Sequence, residues 1–591
     1  MQLTGSLLTW VALVGPCFAK IYEDVSDLPG LEYDFVIVGG GTSGNVVANR
    51  LTENPNFSVL VLEAGVSNEG VIDSIVPFLV EGLLSGPNIY EWNYTTTPQI
   101  GLNNRTIPYP RAHILGGCSA HNGMVYTRGS ADDFNRYAAL TGDPGWSWDR
   151  IFPYFLKTEK WTPPADHHDT DGEFDPTVHS TDGINSVSLN GYPWPIFDHH
   201  VIQTTRELPE EFPFNLDFNS GQMLGVGWLQ SSIGGGKRST SATSYLAPKF
   251  IQRENLHVLL HAQVSKLVDP NKTNEDLTFG GVEFLQGESL FTAKATKEII
   301  LSAGSVGTPN ILMHSGIGDS KALTALGIPS VLDLPSVGQN ATDQPIVSAG
   351  WSVNSTQTVD SITQNMTRYD EAFAEWNRSH TGPFVEVGAT HIAWVRLAAD
   401  SPIFENSTDP AAGPDSPHIE ISMGTGGAPN PAGHAMAMGI VVLNPTSRGS
   451  VTLQSNNPFD PPLIDPGLLK TDIDIYTARE GIKRAYRFVQ APVWQDYIIA
   501  PINALLNLST EALDEFIRNT ATPGSHLLGT AAMTAMNASW GVVDPDLLVK
   551  HTSGIRIIDL SIIPLMPSAH TQAAAYVVGE RGADLVKARW E

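Results

Sequence analysis

Cysteine is nearly absent: Cys17 and Cys118 are the only two in 591 residues. A disulfide framework is therefore excluded, and a chain of this length can be held together by its core alone. Positive charge is scarce as well, with 34 Lys and Arg against 62 Asp and Glu and a net charge of -28. That balance lacks the basic face a nucleic acid requires and disfavours an anionic membrane surface. The N-terminal apolar run, residues 7–14, is much shorter than the roughly 20 residues that cross a bilayer. Cys17-Phe18-Ala19 follows it and puts small residues at the last and third-last positions before a cut after Ala19. Residues 1–19 thus read as a secretory signal peptide, although no Lys or Arg precedes the run. Cleavage would leave Cys118 as the one cysteine of a secreted, extracellular chain. Asn-x-Ser/Thr sequons at Asn93, Asn104, Asn271, Asn354, Asn365, Asn377, Asn406 and Asn507 agree with a glycosylated surface.

What the chain does have is an ordinary globular hydrophobic content of 41% and no internal repeat or low-complexity tract. "YDFVIVGGGTSGNVVANRLTENPNFSVLVLEAG" opens the folded part. It predicts a buried strand over residues 33–38, a helix over residues 44–51 and a second strand over residues 58–62 that ends at Glu63. Between strand and helix lies Gly39-x-Gly41-x-x-Gly44. Gly39 allows a tight turn, Gly41 lets the backbone approach a pyrophosphate, and Gly44 permits close packing of helix on strand. The helix start offers free N–H groups and a positive dipole end to phosphate. Glu63 stands at the spacing of a ribose-binding acid, which favours NAD or FAD over NADP. Further along, "ENLHVLLHAQVSKLVD", "FGGVEFL" and "KEIILSAG" read as strands. The last segment returns to strand, loop and long helix.

Two histidines near the C-terminus, His526 in "PGSHLLGTAAM" and His570 in "MPSAHTQAAAY", sit in loops of small residues that let a flat ring approach. Oxidation of an alcohol by a hydride acceptor needs a base for the hydroxyl proton, a task suited to imidazole. The alternative is a pair of buried histidines held by structural hydrogen bonds. A third histidine, His121, lies in "GGCSAHNGMVYTRG", residues 116–129. From the residues alone it is either a hydrogen-bonded loop imidazole or a ligand contact, with Cys118 as a rival nucleophile.

Taken together these stretches resemble the glucose-methanol-choline (GMC) oxidoreductase family from about Tyr33 onward. "GSVGTPNILMHSGIG" is similar to the family's second signature. "SVGQNATDQ" resembles its Val-Gly-x-Asn-Leu-x-Asp-His stretch, with Thr342 and Gln344 in altered places. "GVVDPDLLVKHTSGIRIIDLSIIP" is similar to its C-terminal FAD segment, with Leu560 replacing a small residue after Asp559. The resemblance implies an α/β protein, α+β overall. A discontinuous Rossmann-like FAD-binding domain would carry an inserted substrate domain made of an antiparallel sheet and helices. The expected segments are 31–145, 225–325 and 526–591 for the FAD domain, and 146–224 and 326–525 for the substrate domain.

The same resemblance implies a flavoenzyme acting on CH–OH donors, with His526 as principal base and His570 as its partner. The implied cofactor residues are Gly39, Gly41, Thr42, Ser43, Gly44, Glu63, Gly117, His121, Asn122, Gly123, Val125, Val264, Asp559, Thr571 and Gln572, with no metal. Within the family, the secreted fungal pyranose dehydrogenases and aryl-alcohol oxidases look nearest. Residues 116–129 are similar to the former, in which the histidine at the place of His121 is joined to the flavin 8α-methyl. Aryl-alcohol oxidases have phenylalanine where Ser525 stands, and pyranose dehydrogenases tend to have tyrosine where Gly524 stands. The resulting expectation is a monomeric, secreted sugar dehydrogenase with FAD, covalent through His121, passing electrons to a quinone-type acceptor. An aryl-alcohol oxidase releasing aldehyde and hydrogen peroxide is the alternative.

Overall fold

A computed structural model describes residues 20–591 apart from 270, 274–275 and 428–432. The signal-peptide reading of residues 1–19 lies outside the described residues. Two sheets organise the chain. In the first, the strands run Ile21–Tyr22, Leu256–Leu259, Val59–Leu62, Glu32–Val38, Ser289–Leu301, Gly281–Gln286, Gln263–Val268, with Ile555–Ile557 also on Ser289–Leu301. Glu32–Val38 pairs in parallel with Val59–Leu62 and with Ser289–Leu301, which in turn pairs in parallel with Ile555–Ile557. A sheet of this kind is covered on both faces, so its strands are near-continuous apolar runs. Val36, Ile37, Leu60, Val61 and Ile300 are accordingly inaccessible to solvent.

Helix Thr42–Leu51 follows the first strand, and the C-terminal helix Gln572–Trp590 crosses it closely. Gly579 makes the crossing possible: a Cβ there would lie 2.8 Å from Val46 Cβ and 3.0 Å from the Ser43 carbonyl oxygen. This contact joins two segments more than five hundred residues apart in sequence, as the Ser43 hydroxyl bond to the Ala575 carbonyl at 2.7 Å also shows.

The second sheet is antiparallel, ordered Ile498–Pro501, Pro345–Val353, Ala435–Val442, Ile419–Thr425, His391–Val395, Gly225–Trp228, with Thr522–Pro523 on Pro345–Val353. Helix Asp472–Phe488 packs on it through Ile475, Ala478, Ile482 and Ala485. Gly481 faces Ile440 so closely that a Cβ would stand 2.3 Å from its Cγ2. One placement differs from the sequence expectation. Gly225–Trp228, assigned to the 225–325 segment of the first domain, pairs with His391–Val395 in the second sheet. Its sequence, Gly-Val-Gly-Trp, has too few side chains to show a period, and its partner is more than 160 residues away.

Candidate active site

A cavity of about 520 Å³ opens between the two sheets. Its lining runs from the glycine turn at Gly39 and Gly41, past Glu63, to His526 and His570. Every cofactor and catalytic residue expected from the sequence lines it except Gly44. Gly44 lies beneath the turn, where a Cβ would meet the Gly39 carbonyl oxygen at 2.0 Å. That is the close helix-on-strand packing the spacing implied. Gly39 has φ 102 and makes the turn. A Cβ on Gly41 would meet nothing nearer than 3.9 Å, so the backbone there faces open space at the helix N-terminus.

Glu63 is buried. Its two carboxylate oxygens each accept one backbone N–H, from Gly40 and Gly65 at 2.8 Å. Burial pushes its pKa up to about 7 against those two bonds. A second lone pair on each oxygen remains free for a hydroxyl. Across the turn, Asp559 accepts from Gly304 N–H at 2.9 Å, from Thr308 Oγ1 at 2.6 Å and from Ser561 N–H at 2.8 Å. It thereby ties the strand Ile555–Ile557 to helix Gly304–His314. The Ser43 hydroxyl proton is spent on the Ala575 carbonyl, so only the backbone N–H of Ser43 remains to donate to a ligand.

His121 caps the short 3-10 helix Gly117–Ala120. Arg238 clamps the loop, donating to the Ser119 and Asn122 carbonyls and to Asn122 Oδ1. Among the described residues Arg238 has no carboxylate partner, and burial pulls its pKa down to about 9. Asn122 Nδ2 in turn donates to Gln572 Oε1, which leaves Gln572 Nε2 buried without a partner beside the cavity.

His526 and His570 meet edge to face, with ring centroids 4.8 Å apart. Their partners differ in kind. His526 Nδ1 lies 2.6 Å from Gln344 Oε1, while Gln344 Nε2 donates to the Leu443 and Pro567 carbonyls at 3.0 and 3.3 Å. Because the amide NH2 is committed to two carbonyls, its oxygen must accept from His526. The proton of His526 therefore sits on Nδ1, and Nε2 keeps a bare lone pair. Burial, the neighbouring His570 and Arg111 hold the His526 pKa well below its ordinary value, so the ring is neutral. Its backbone N–H donates to Asp343 at 2.8 Å, and Arg111 Nη2 holds the Ser525 carbonyl at 2.7 Å. Ser525 has φ 60, a left-handed conformation unusual for a residue with a Cβ, and this bond helps to keep it there. His570 Nε2 lies 2.9 Å from Glu420 Oε1, and its backbone N–H donates to Thr127 Oγ1 at 2.9 Å. Glu420 is almost fully buried.

Gln344, Glu420, Asp343 and Arg111 carry much of this geometry and were not among the residues expected to do so. Glu420 left one trace: it is an acid inside the apolar strand Ile419–Thr425.

The two models of the GMC oxidoreductase family match residues 33–346 and 445–579. The chain is a GMC oxidoreductase. It is 42% identical over 584 residues to a pyranose dehydrogenase of Agaricus campestris, covering 95% of each chain. It is 40% identical over 602 residues to the dehydrogenase eriK of Hericium erinaceus, covering 99% of each. Among solved structures, a fungal aryl-alcohol oxidase matches with TM-score 0.81 at 28% identity, over 95% of this chain and 100% of that one. Formate oxidase of Aspergillus oryzae matches with TM-score 0.86 at 27% identity, over 95% and 99%. This GMC oxidoreductase binds FAD and acts on CH–OH donors. The site fits that cofactor: an open glycine turn at a helix start, a buried acid with spare lone pairs, and a buried amide donor on Gln572 lie along one cavity.

Proposed function

We propose that the chain is a secreted sugar dehydrogenase whose base is His526. The observation that carries this reading is the division of partners between the two histidines. A neutral amide holds His526 as a free base, and a buried carboxylate holds His570. The bare Nε2 of His526 takes the proton of a ring hydroxyl as the carbon gives up its hydride. His570, backed by Glu420, hydrogen-bonds the same hydroxyl and orients it. Bound FAD supplies the two-electron acceptor, at N5. Gly39, Gly41, Thr42 and the backbone of Ser43 would hold its pyrophosphate, and Glu63 a ribose hydroxyl. Gly117, Asn122, Gly123, Val125, Val264, Asp559, Thr571 and Gln572 would enclose the rest. His121 would carry the flavin covalently through its 8α-methyl.

The pyranose reading is supported by the relatives named above and by residues 116–129. Electrons then pass to a quinone-type acceptor, and the protein works as an extracellular monomer. An aryl-alcohol oxidase is the second reading, favoured by Trp92 and Tyr94, whose rings stack at 5.7 Å and both line the cavity. One comparison separates the two. Turnover of glucose with benzoquinone and no peroxide supports the dehydrogenase, whereas turnover of anisyl alcohol with stoichiometric peroxide overturns it.

A further inference from the structure

The third imidazole of the cavity, His121, meets an acid from a different segment. Glu91 Oε1 lies 2.5 Å from His121 Nε2, and each side chain is about 5% exposed. Their alignment falls outside hydrogen-bond geometry, and neither atom has another partner among the described residues. Two bare lone pairs would repel at that distance, so the contact calls for a proton on one of the two atoms. The other oxygen of Glu91 accepts the Arg111 backbone N–H at 2.9 Å. That bond braces Glu91 against the chain that enters the His121 loop, and Glu91 also forms a bridge to Ala112. Bracing needs only one neutral acceptor, whereas burying a carboxylate is costly unless its charge is used. The second oxygen lies against the imidazole, and Arg238 holds the same loop through Asn122.

We propose that Glu91 is the positioning residue for flavin attachment, receiving the imidazole proton of His121 as the bond to the 8α carbon forms. The proposal rests on the reading that His121 carries the flavin. Attachment would join the ring nitrogen turned away from Glu91 to the 8α carbon, and the nitrogen that faces Glu91 and the 8α carbon would each give up one hydrogen as a proton. The electron pair of the broken C–H bond would pass through the flavin to the quinone-type acceptor, which takes up that pair and both protons to become a hydroquinone, and this closes the balance. Glu91 takes the proton of the nitrogen that faces it, which keeps the other ring nitrogen nucleophilic.

The test uses the FAD-loaded full chain. Wild type, His121→Ala, Glu91→Gln and Glu91→Asp are precipitated with acid, and flavin is measured in pellet and supernatant. The peptide containing His121 is then weighed by mass spectrometry. Wild type keeps its flavin in the pellet and His121→Ala releases all of it. Glu91→Gln binds FAD at wild-type stoichiometry but releases at least about nine-tenths of it, as expected for loss of a proton acceptor worth roughly tenfold or more. Wild-type retention in Glu91→Gln overturns the role of Glu91 and leaves the attachment reading intact. A colourless wild-type pellet overturns the attachment reading and this proposal with it. If Glu91→Gln fails to fold, Glu91→Asp, which withdraws the carboxylate by one methylene, carries the test: partial attachment supports the proposal and full attachment overturns it.

Discussion

Replacing Gln344 by leucine tests the proposed basic role of His526. The amide oxygen is the acceptor of the Nδ1 proton, at 2.6 Å inside the protein. Leucine has a similar size and accepts nothing, so the ring N–H is left buried and unsatisfied at a cost of about 1–3 kcal/mol. The ring can escape that cost by moving its proton to Nε2, which removes the lone pair that takes the substrate proton. Either way the barrier to hydride transfer rises by a similar amount, a rate loss of about 10–100-fold at 1.36 kcal/mol per decade. The assay is anaerobic stopped-flow reduction, followed by loss of the flavin's visible absorbance, with bound FAD quantified in each variant. Glu in place of Gln344 supplies the opposite perturbation. A carboxylate at the same distance still accepts from Nδ1 but favours the charged ring, raising the His526 pKa from its depressed value. The rate in Gln344→Glu should stay near wild type at high pH and fall as pH drops, with its acid limb shifted upward relative to wild type. A Gln344→Leu enzyme that reduces within about threefold of wild type between roughly pH 5 and 8 would refute the tautomer reasoning.

Glu420→Gln keeps an oxygen near His570 but removes the charge. The maximal rate of reduction should fall about tenfold, with a smaller change in KM, and an equal loss in both would instead indicate a binding role. Gly41→Ala should leave the melting temperature of the FAD-free protein within about 2 °C of wild type and abolish FAD retention, because its Cβ meets no protein atom closer than 3.9 Å. Gly44→Ala, whose Cβ would stand 2.0 Å from the Gly39 carbonyl oxygen, should cost at least about 1–3 kcal/mol of stability in the same assay; equal behaviour of the two variants contradicts the assignment. His391 is fully buried, and burial lowers its pKa to about 3. This is a folded value below the unfolded one, so the unfolded chain binds the extra proton. The stability due to neutral His391 is complete above about pH 6.5 and is lost as pH falls toward 3, at up to about 1.4 kcal/mol per unit. His391→Phe should flatten urea-derived stability against pH by that slope, and parallel curves for the two proteins would count against it.

The strand, turn and helix around Gly39, Gly41 and Gly44 were legible because their information is local. A glycine three or five residues on decides the turn and the packing, and Glu63 ends the next strand of the same unit. The strands of the first sheet were legible for a related reason: burial on both faces leaves unbroken apolar runs. Gly225–Trp228 was misplaced because two of its four residues have no side chain to declare a face, and pairing with His391–Val395 is a long-range event. The same limit hid the partners of His526 and His570. Gln344 is 182 residues from His526 and Glu420 is 150 from His570. No periodicity spans such distances. Gln344 was visible only as a departure from a motif, with nothing in the motif to say what it touches.

That departure is where the chemistry is set. Two histidines in contact cannot both be charged cheaply, nor can both be bases for one proton. Their environments have to push them apart, which is how one fold assigns acid and base roles. Here the separation is made by the neighbours. Gln344, anchored by the Leu443 and Pro567 carbonyls, gives His526 a neutral partner that fixes the tautomer without favouring charge. Glu420 gives His570 an anionic one. Exchanging the two partners, with Gln344→Glu and Glu420→Gln in one protein, should therefore move the basic role toward His570. If reduction by the double variant still requires His526 and tolerates His570→Ala, the division of labour lies in the position of the rings relative to the flavin and not in their partners.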